Sequence, residues 1–410
     1  MLVTLHKEFS MSKRVIFSLL MVFLIFSCKG HKGDDNPQPN KKDYKALGDA
    51  TIEVFKNTPI VFDSKKVPDG YNAPDANGVI RLVNGRLVLK KIEIPKYERN
   101  VSVKLKVRLV SGGDPYDRSG SIFILSDSKD GVNPISIAKG SKYPGMEGDL
   151  NKYPGIIKLE DYEPCVEAMR FMTPFGVGYY SEGYNLPLPA GIEAWEKDVK
   201  WECDITYLYS LLEDEAYIGC WIDTWVKGGF LVDAQLEITE SKENKAMEKY
   251  KVLPLINTCP YIGQNYPDVF YHYKKNGIEV KADIKAKTEA KLYYTTTGHG
   301  GYPGGDEFTK RENIISLNKK ELHKFTPWID SCKEYRKWNP TSGDVGGGLS
   351  SSDLSRSNWC PGSIVSPIVI PLDKGSLTDG TFSFAIPKAQ KAMGDNMLNF
   401  WLVSSYVVYR

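Results

Sequence analysis

Gly113-Asp-Pro-Tyr-Asp-Arg-Ser-Gly120 separates two segments that are typical of β-strands. Before it, Val101-Ser-Val-Lys-Leu-Lys-Val-Arg-Leu109 alternates apolar and polar residues, which is the period of a strand with one buried face. After it comes the apolar segment Ser121-Ile-Phe-Ile-Leu125. A turn rich in Gly, Asp and Pro between two strands is ordinary hairpin chemistry, so this stretch by itself predicts a turn.

Asp117 and Arg118 are the charged pair near the end of this turn. Neighbouring side chains on a strand normally face opposite sides of the sheet. A carboxylate and a guanidinium that line one pocket therefore require a bulge or a kink that turns one of them. A structural ion pair or a turn cap is the other interpretation of each charge, since many ion pairs have no catalytic role.

Segments of strand type occupy the chain on both sides of this turn. No amphipathic helix longer than about three turns interrupts them between residues 50 and 241. The predicted strands of this half, several of them bounded by Pro-Asp-Gly and Asn-Gly turns, are Thr51–Phe55, Gly78–Val83, Arg86–Leu89, Phe171–Tyr180, Ala216–Val226 and Phe230–Ile238. Short strands at this spacing indicate a β-sandwich or a jelly roll.

A charged stretch at Glu240–Lys249 contains no strand pattern and marks the predicted domain boundary. We predict an N-terminal domain at residues 49–243 and a C-terminal domain at residues 244–410. The strands predicted for the second domain are Gly277–Ile284, Lys291–Thr295, Ser363–Ile370, Thr381–Phe384 and Phe400–Val408. The fold class is therefore all-β, with two sandwiches in succession.

The composition disfavours two classes of function. At 410 residues and a net charge of +2, the chain lacks the large basic excess of a dedicated nucleic-acid binder. It contains five histidines, with no His-x-His pair and no Cys-x-x-Cys motif, which disfavours a copper or structural zinc site. We therefore expect neither a metal nor another cofactor.

The N-terminus has the pattern of an export signal. Lys13-Arg14 precede an apolar run at residues 15–26, which is too short to span a membrane comfortably. Leu24-Ile-Phe-Ser-Cys28 resembles a bacterial lipobox, which implies a signal peptide at 1–28 and acylation of the Cys28 thiol. Residues 29–48 read as a flexible polar tether. We expect an exported monomer held by lipid at the outer membrane, on its periplasmic or cell-surface face, or else secreted.

Three polar segments between the strands contain candidate functional residues. In Trp221-Ile-Asp-Thr-Trp225, strand alternation places Asp223 on one face with two tryptophans, which is unusual for a solvated charge. Thr295–Arg311 is rich in glycine, which predicts either a close approach of the backbone to another group or a simple surface loop. The third segment is Ser355-Arg-Ser-Asn-Trp-Cys-Pro-Gly362.

In chain order, these segments resemble the motifs of the peptide-N-glycosidase F family. The matching residues are Asp117-Arg118 before a strand, Asp223-Thr-Trp225, Glu307-Phe308 after the glycine-rich segment, and Arg356-Ser-Asn-Trp-Cys-Pro-Gly362. The resemblance covers nearly all of the chain after the tether. It implies two consecutive eight-stranded antiparallel jelly-roll domains with a site at their interface. It also implies an amidase that hydrolyses the bond between asparagine and the innermost N-acetylglucosamine of N-linked glycoproteins, leaving aspartate.

The resemblance further implies roles for single residues. The essential aspartate of the family corresponds to Asp117, and its second-domain glutamate corresponds to Glu307. A family glutamate corresponds to Asp223, so this chain is one methylene shorter there. The residues for which the resemblance implies substrate contacts are Arg118, Arg356, Trp225, His299 and Trp359.

The cysteines fit an exported protein. The resemblance implies a disulfide between Cys332 and Cys360, which would pin the segment that carries Arg356. Up to two further disulfides are open, with no pairing fixed by the sequence, among Cys165, Cys203, Cys220 and Cys259.

Amide hydrolysis is chemistry that this residue set can perform. A carboxylate can activate water as a base, a carboxyl held protonated can supply a proton, and arginines can stabilise an oxyanion. The hypothesis is that Asp117 polarises the water or the scissile amide, Glu307 positions water and sugar, and Asp223 completes the cluster. A glycoside hydrolase remains an alternative, because paired carboxylates also cleave glycosidic bonds. A non-catalytic glycan-binding lipoprotein is a second alternative, because a fold does not fix a function.

Overall fold

The structure is a computed structural model, and it describes residues 42–126, 131–175, 193–264, 267–274, 276–301, 304–339, 353–392 and 398–410. The chain from Tyr44 to Arg410 forms one compact unit. The predicted signal peptide with Cys28, and the predicted tether up to residue 41, lie outside the described residues. Within the described parts of the chain, no helix is long and apolar enough to cross a membrane.

The first half of the chain folds into a sandwich of two antiparallel sheets. Its elements are β1 (Ala50–Ile60), β2 (Val79–Leu82), β3 (Leu87–Ile94), β4 (Val101–Ser111), β5 (Ser119–Ser126), the short helix α1 (Pro134–Ala138), β6 (Val166–Met172), β7 (Asp198–Asp204), β8 (Asp214–Ile222) and β9 (Phe230–Glu240). One sheet has the order β1-β9-β4-β7, and the other contains β6-β5-β8-β3-β2. The alternation in β4 buries Val103, Leu105, Val107 and Leu109 between the sheets, as the sequence predicts.

The second half forms another antiparallel sandwich. Its elements are β10 (Lys251–Asn257), the short helix α2 (Val269–His272), β11 (Ile278–Ala282), β12 (Ala290–His299), β13 (Asn313–Leu317), β14 (Lys320–Phe325), β15 (Ile364–Val365), β16 (Ile368–Pro371), β17 (Gly380–Ala385) and β18 (Phe400–Tyr409). The sheets have the orders β10-β18-β12-β16 and β11-β17-β13-β14. The predicted all-β fold of two successive jelly-roll sandwiches is confirmed, although nine strands rather than eight lie in the described part of the first half.

The strand predicted at Ser363–Ile370 is divided between the two sandwiches. β15 pairs with β6 of the first sandwich, where Val365 lies opposite Arg170. After Pro367 the chain continues as β16, which pairs with β12 of the second sandwich. Because proline donates no ladder hydrogen bond, it fits the point at which the chain leaves one sheet for the other. The segment that follows Arg356 is thereby anchored in both halves of the molecule.

An apolar cluster joins the two sandwiches. Phe123 of β5 and Trp221 of β8 lie on the outer face of the first sandwich, where both are buried. The ring of Phe123 stacks on Tyr261 of the second half with 4.0 Å between centroids, and Trp221 packs edge-on against the same ring at 6.1 Å. This contact brings the ends of β5, β8 and β12 into one region.

The prediction that Trp221, Asp223 and Trp225 share one strand face is wrong. β8 ends at Ile222, where its pairing with Gly120 of β5 also ends, so strand alternation does not apply beyond it. Trp221 is buried, whereas Trp225 is 50% exposed. The strand predicted at Phe171–Tyr180 also begins earlier, as β6, and residues 176–180 lie outside the described residues.

The predicted disulfide between Cys332 and Cys360 is present, with 5.5 Å between the two Cα atoms. The further disulfides that the sequence left open do not form, because the four cysteines in question are free thiols: Cys165, Cys203, Cys220 and Cys259.

Gly219 of β8 leaves space for a ring on the neighbouring strand. A Cβ atom at this position would lie 2.1 Å from the ring of Phe123, which is fully buried and already stacked. We expect Gly219→Ala to lower the free energy of unfolding in urea by about 1–3 kcal/mol through overpacking. Gly145→Ala is the control, since its Cβ would meet Asn151 at 3.6 Å, and we expect a change within about 0.5 kcal/mol. Equal stability of the two variants would contradict the packing argument.

Candidate active site

Arg356 joins two carboxylates that come from different sandwiches. Its Nη1 atom lies 3.0 Å from Oδ2 of Asp117 and 3.0 Å from Oε1 of Glu307. Asp117 belongs to the turn between β4 and β5, whereas Glu307 follows β12. Arg356 itself is 1% exposed. The structure thus brings together the three predicted residues that carry the central charges of the site.

The segment around Arg356 holds its guanidinium in a fixed plane. The guanidinium carbon lies over two aromatic rings, 5.2 Å from the centroid of Phe308 and 4.6 Å from that of Trp359. Its backbone exchanges two hydrogen bonds with Ile329, at 2.9 and 3.0 Å. The disulfide that ends at Cys360 closes this segment four residues further on. A planar, always charged group held in this way can order two acceptors at once.

Burial and mutual repulsion set the charge of the two carboxylates. Burial raises the pKa of Glu307 to about 7, with the charge of Asp117 adding to the shift and that of Arg356 opposing it. Burial also raises the pKa of Asp117, against the opposing effects of Arg356 and Arg118. Two ionised carboxylates beside one guanidinium would leave a net negative charge in a poorly hydrated site. The pair therefore titrates as a unit and retains a proton at a higher pH than free carboxylates do.

Thr173 fixes the backbone on both sides of Asp117. Its hydroxyl donates to the carbonyl oxygen of Tyr116 at 2.9 Å and accepts from the N–H of Arg118 at 2.7 Å. Its own N–H donates to the carbonyl oxygen of Arg118 at 2.9 Å. Thr173 is completely buried just after β6. The sequence gives no signal for Thr173, because a single threonine 56 positions away from Asp117 fits no motif.

Arg118 pairs with a carboxylate of its own turn. Its Nε atom lies 2.9 Å from Oδ2 of Asp114, which also accepts from the hydroxyl of Thr224 at 2.6 Å. Asp114 is 1% exposed, and its other oxygen accepts from the N–H of Tyr116 at 3.0 Å. Because β5 begins only at Ser119, strand alternation does not constrain Asp117 and Arg118, and no bulge is needed. Asp114 is a second residue that the sequence analysis missed.

Asp223 lies next to this cluster with partners of its own. It is 3.4 Å from Nη1 of Arg86 and accepts from Nε1 of Trp225 at 3.1 Å. The guanidinium of Arg86 stacks 4.0 Å above the Trp225 ring. Burial raises the pKa of Asp223, while Arg86 and Arg118 oppose the shift. Asp223, Arg86 and the half-exposed Trp225 line part of a cavity of about 210 Å³ between the sandwiches.

The glycine-rich segment that leads to Glu307 packs closely against its surroundings. Gly300 has a φ of +142°, and a Cβ atom there would lie 2.4 Å from Oδ1 of Asn399. Asp306, completely buried, pairs with Arg311 at 2.7 Å and accepts from the Trp401 indole at 3.0 Å. The glycines thus permit a close backbone approach, which was one of the two sequence interpretations.

His299 and Trp359 lie beneath Arg356 rather than on the open surface. His299 is 6% exposed, and its ring lies 4.6 Å from Phe400 and 5.4 Å from Trp359. Burial lowers the pKa of His299 to about 3, with repulsion from Arg170 and Arg356 adding to the shift. Trp359 is 2% exposed and donates to the carbonyl oxygen of Gly298 at 2.9 Å. Of the three predicted aromatic contacts, Trp225 is the one that presents a large exposed surface.

Residues 51–238 match the family model described as peptide-N-glycosidase F, N terminal, and residues 265–408 match that described as peptide-N-glycosidase F, C terminal. The chain belongs to the peptide-N-glycosidase F family. The predicted resemblance is therefore confirmed over both sandwiches. A search among curated proteins finds no match.

Solved structures of the family have the same fold. PNGF-II in one crystal form is 35% identical, with a TM-score of 0.75 over 88% of this chain and 65% of that chain. PNGase F, a glycosylasparaginase from Flavobacterium meningosepticum, is 18% identical, with a TM-score of 0.56 over 88% of this chain and 95% of that chain. A peptide-N(4)-(N-acetyl-β-D-glucosaminyl)asparagine amidase is 17% identical, with a TM-score of 0.52 over 88% and 96% of the two chains. The chain spans less than two thirds of the PNGF-II chain that it matches.

The raised pKa of Glu307 has a consequence for stability. Between the ordinary value of 4.5 and about 7, the unfolded chain loses this proton while the folded protein retains it. We therefore expect Glu307 to make the free energy of unfolding fall as pH rises through this range, and Glu307→Gln to remove that part of the fall. Denaturant unfolding of parent and variant at several pH values measures the difference. A difference in the free energy of unfolding between parent and variant that stays constant with pH would contradict the raised pKa of Glu307.

Proposed function

We propose that this protein is a peptide-N4-(N-acetyl-β-glucosaminyl)asparagine amidase. In this reaction water attacks the side-chain carbonyl carbon of a glycosylated asparagine, the bond from that carbon to nitrogen breaks, and aspartate and a glycosylamine result. The single observation that supports this proposal best is the pair formed by Asp117 and Glu307 around Arg356, at 3.0 Å each. The family membership of the chain supports the same reaction class.

The two carboxyl groups supply the proton transfers that this reaction needs. Asp117, ionised beside Arg356, takes a proton from the attacking water. Glu307, with a pKa of about 7, is partly protonated near neutral pH and can donate to the departing nitrogen. The proton count balances. After the products leave, the proton gained by Asp117 is transferred to Glu307 and replaces the one that Glu307 donated. Arg356 stabilises the ionised member of the pair throughout.

Two guanidinium groups differ in what they can contact. Arg356 is 2% exposed at its side chain and holds the carboxylates. The side chain of Arg118 is 21% exposed and is oriented by Asp114, so it has surface free for substrate. We assign the stabilisation of the negative carbonyl oxygen to Arg118, because a positioned cation is most effective where charge develops.

Asp223 and Trp225 form the candidate sugar contact. The exposed half of the Trp225 indole can stack on the apolar face of a pyranose ring. Asp223 is held by Arg86 and retains acceptor capacity for a sugar hydroxyl. Since His299 and Trp359 are covered by protein, we assign them to the support of Arg356 rather than to direct contact with substrate.

The sequence supports a location for this activity. Lys13-Arg14, the apolar run after them and Cys28 support export and lipid anchoring at the outer membrane. The substrate would be an N-linked glycoprotein or glycopeptide.

We expect the protein without residues 1–28 to convert a glycosylated asparagine to aspartate and to release the whole glycan. Mass spectrometry of a defined glycopeptide measures both products. Asp117→Asn keeps the shape of the side chain but removes the base, and we expect it to lower kcat at least about a hundredfold. Glu202→Gln, on the exposed face of β7, is the matched control and should retain the activity of the parent.

A peptide that retains one N-acetylglucosamine would contradict the proposal and indicate a glycosidase. Several glycopeptide classes left intact by the parent protein, but bound by it, would instead favour a glycan-binding protein.

We expect Asp223→Asn to act mainly on substrate binding. Loss of a charged acceptor for a sugar hydroxyl costs about 1.5–3 kcal/mol, which corresponds to roughly a tenfold to hundredfold fall in kcat/KM, with most of it in KM. Steady-state kinetics on the same glycopeptide separate the two constants. Asp233→Asn weakens a partly exposed ion pair with Arg108, outside the lining of the cavity, and is the control. A fall confined to kcat would place Asp223 in the chemical step instead.

A further inference from the structure

Arg170 lies where the two sandwiches and the active site meet. On β6 it is opposite Ser121 of β5 on one side and Val365 of β15 on the other. β5 is the strand that follows Asp117, and β15 is the strand that follows Arg356. Arg170 therefore lies between the two chain segments that carry the opposed charges of the site.

The guanidinium of Arg170 is completely buried and fully occupied. It forms a two-point ion pair with Glu167, with Nε–Oε1 at 2.6 Å and Nη2–Oε2 at 2.8 Å. Its Nη1 atom crosses to the second sandwich and donates to the hydroxyl of Thr297 at 3.0 Å and to the carbonyl oxygen of Leu402 at 3.2 Å. A buried ion pair has little net effect on stability but specifies one geometry where all its hydrogen bonds are made.

Thr297 connects Arg170 to His299, which packs against the aromatic ring beneath Arg356. Its hydroxyl oxygen lies 2.9 Å from Nε2 of His299. Arginine has no acceptor, so the Thr297 oxygen accepts from Arg170, and its own proton is free to donate to Nε2. The His299 ring is neutral, because burial and repulsion from Arg170 and Arg356 lower its pKa to about 3.

The remaining contacts complete the connection. The His299 ring lies 5.4 Å from Trp359, and Trp359 lies 4.6 Å below the Arg356 guanidinium. We propose that Arg170 and Thr297 are positioning residues that fix Arg356 between Asp117 and Glu307 across the joint of the two sandwiches. Neither residue touches the reacting atoms.

Thr297→Val tests this role, because valine has the shape of threonine without the hydroxyl. We expect kcat on the glycopeptide to fall roughly tenfold to a hundredfold with KM nearly unchanged, since a small displacement of a catalytic group costs this much. Thr297→Ser restores the hydroxyl and should recover most of the parent kcat. Ser121→Ala is the matched control, because it removes another buried hydroxyl of the same joint, bonded to Tyr261 at 2.8 Å. Its kcat should equal that of the parent.

The kinetic test of this inference rests on the proposed function, because it requires turnover of the glycopeptide. A second measurement does not depend on turnover. Arg356 opposes the raised pKa of Glu307, so its displacement in Thr297→Val should move the titration of Glu307 above about 7. The carboxyl band in infrared difference spectra, assigned with Glu307→Gln, measures that titration.

Three results would overturn the positioning role. They are an unchanged kcat and titration in Thr297→Val, an equal loss in Ser121→Ala, and a failure of Thr297→Ser to recover activity. A parent protein that leaves glycopeptides intact would refute the amidase proposal alone, and the infrared titration would still decide the positioning role.

Discussion

The site depends on one buried guanidinium that bridges the two sandwiches. Arg356 lies 3.0 Å from Asp117 of the first sandwich and 3.0 Å from Glu307 of the second. Without it, two carboxylates would face each other in a poorly hydrated site, and both would take up protons. With it, one remains ionised while burial keeps the pKa of the other near 7. The acid and the base of the proposed reaction thus share one site, in which burial favours the protonated carboxyl and Arg356 favours the ionised one.

The fold gives this cation a fixed place in both sandwiches. The Arg356 segment is tied by a disulfide and a backbone bridge to the second sandwich. It then continues as β15 in a sheet of the first sandwich, beside β6. Movement of one sandwich against the other would therefore break strand pairing as well as the ion pairs. This arrangement explains how two compact sandwiches can hold a three-residue geometry at their joint.

The sequence predicts the central residues but little of what holds them. Asp117, Glu307 and Arg356 could be predicted from the sequence. Each lies in a short motif, and these motifs occur in the same order as in the peptide-N-glycosidase F family. Asp223 was also predicted as a site residue. The prediction that it shares a strand face with Trp221 and Trp225 was wrong, because strand alternation stops where β8 ends at Ile222. Most of the supporting partners were missed because their contacts join positions distant in the chain; Asp114, four positions before Arg118, is the exception. Arg86 is 137 positions from Asp223, and Arg170 is 127 positions from Thr297. No local pattern encodes such pairs.

The most direct test of the shared cation is a titration of the Glu307 carboxyl carbon by nuclear magnetic resonance in the parent and in Asp117→Asn. The charge of Asp117 contributes to the raised pKa of Glu307, about 7 in the parent. We expect Asp117→Asn to lower this pKa, because the repulsion from the Asp117 charge is then removed while Arg356 still favours the ionised form of Glu307. An unchanged pKa of Glu307 would show that the two groups titrate independently, and would contradict the claim that the two carboxyls beside Arg356 titrate as a unit.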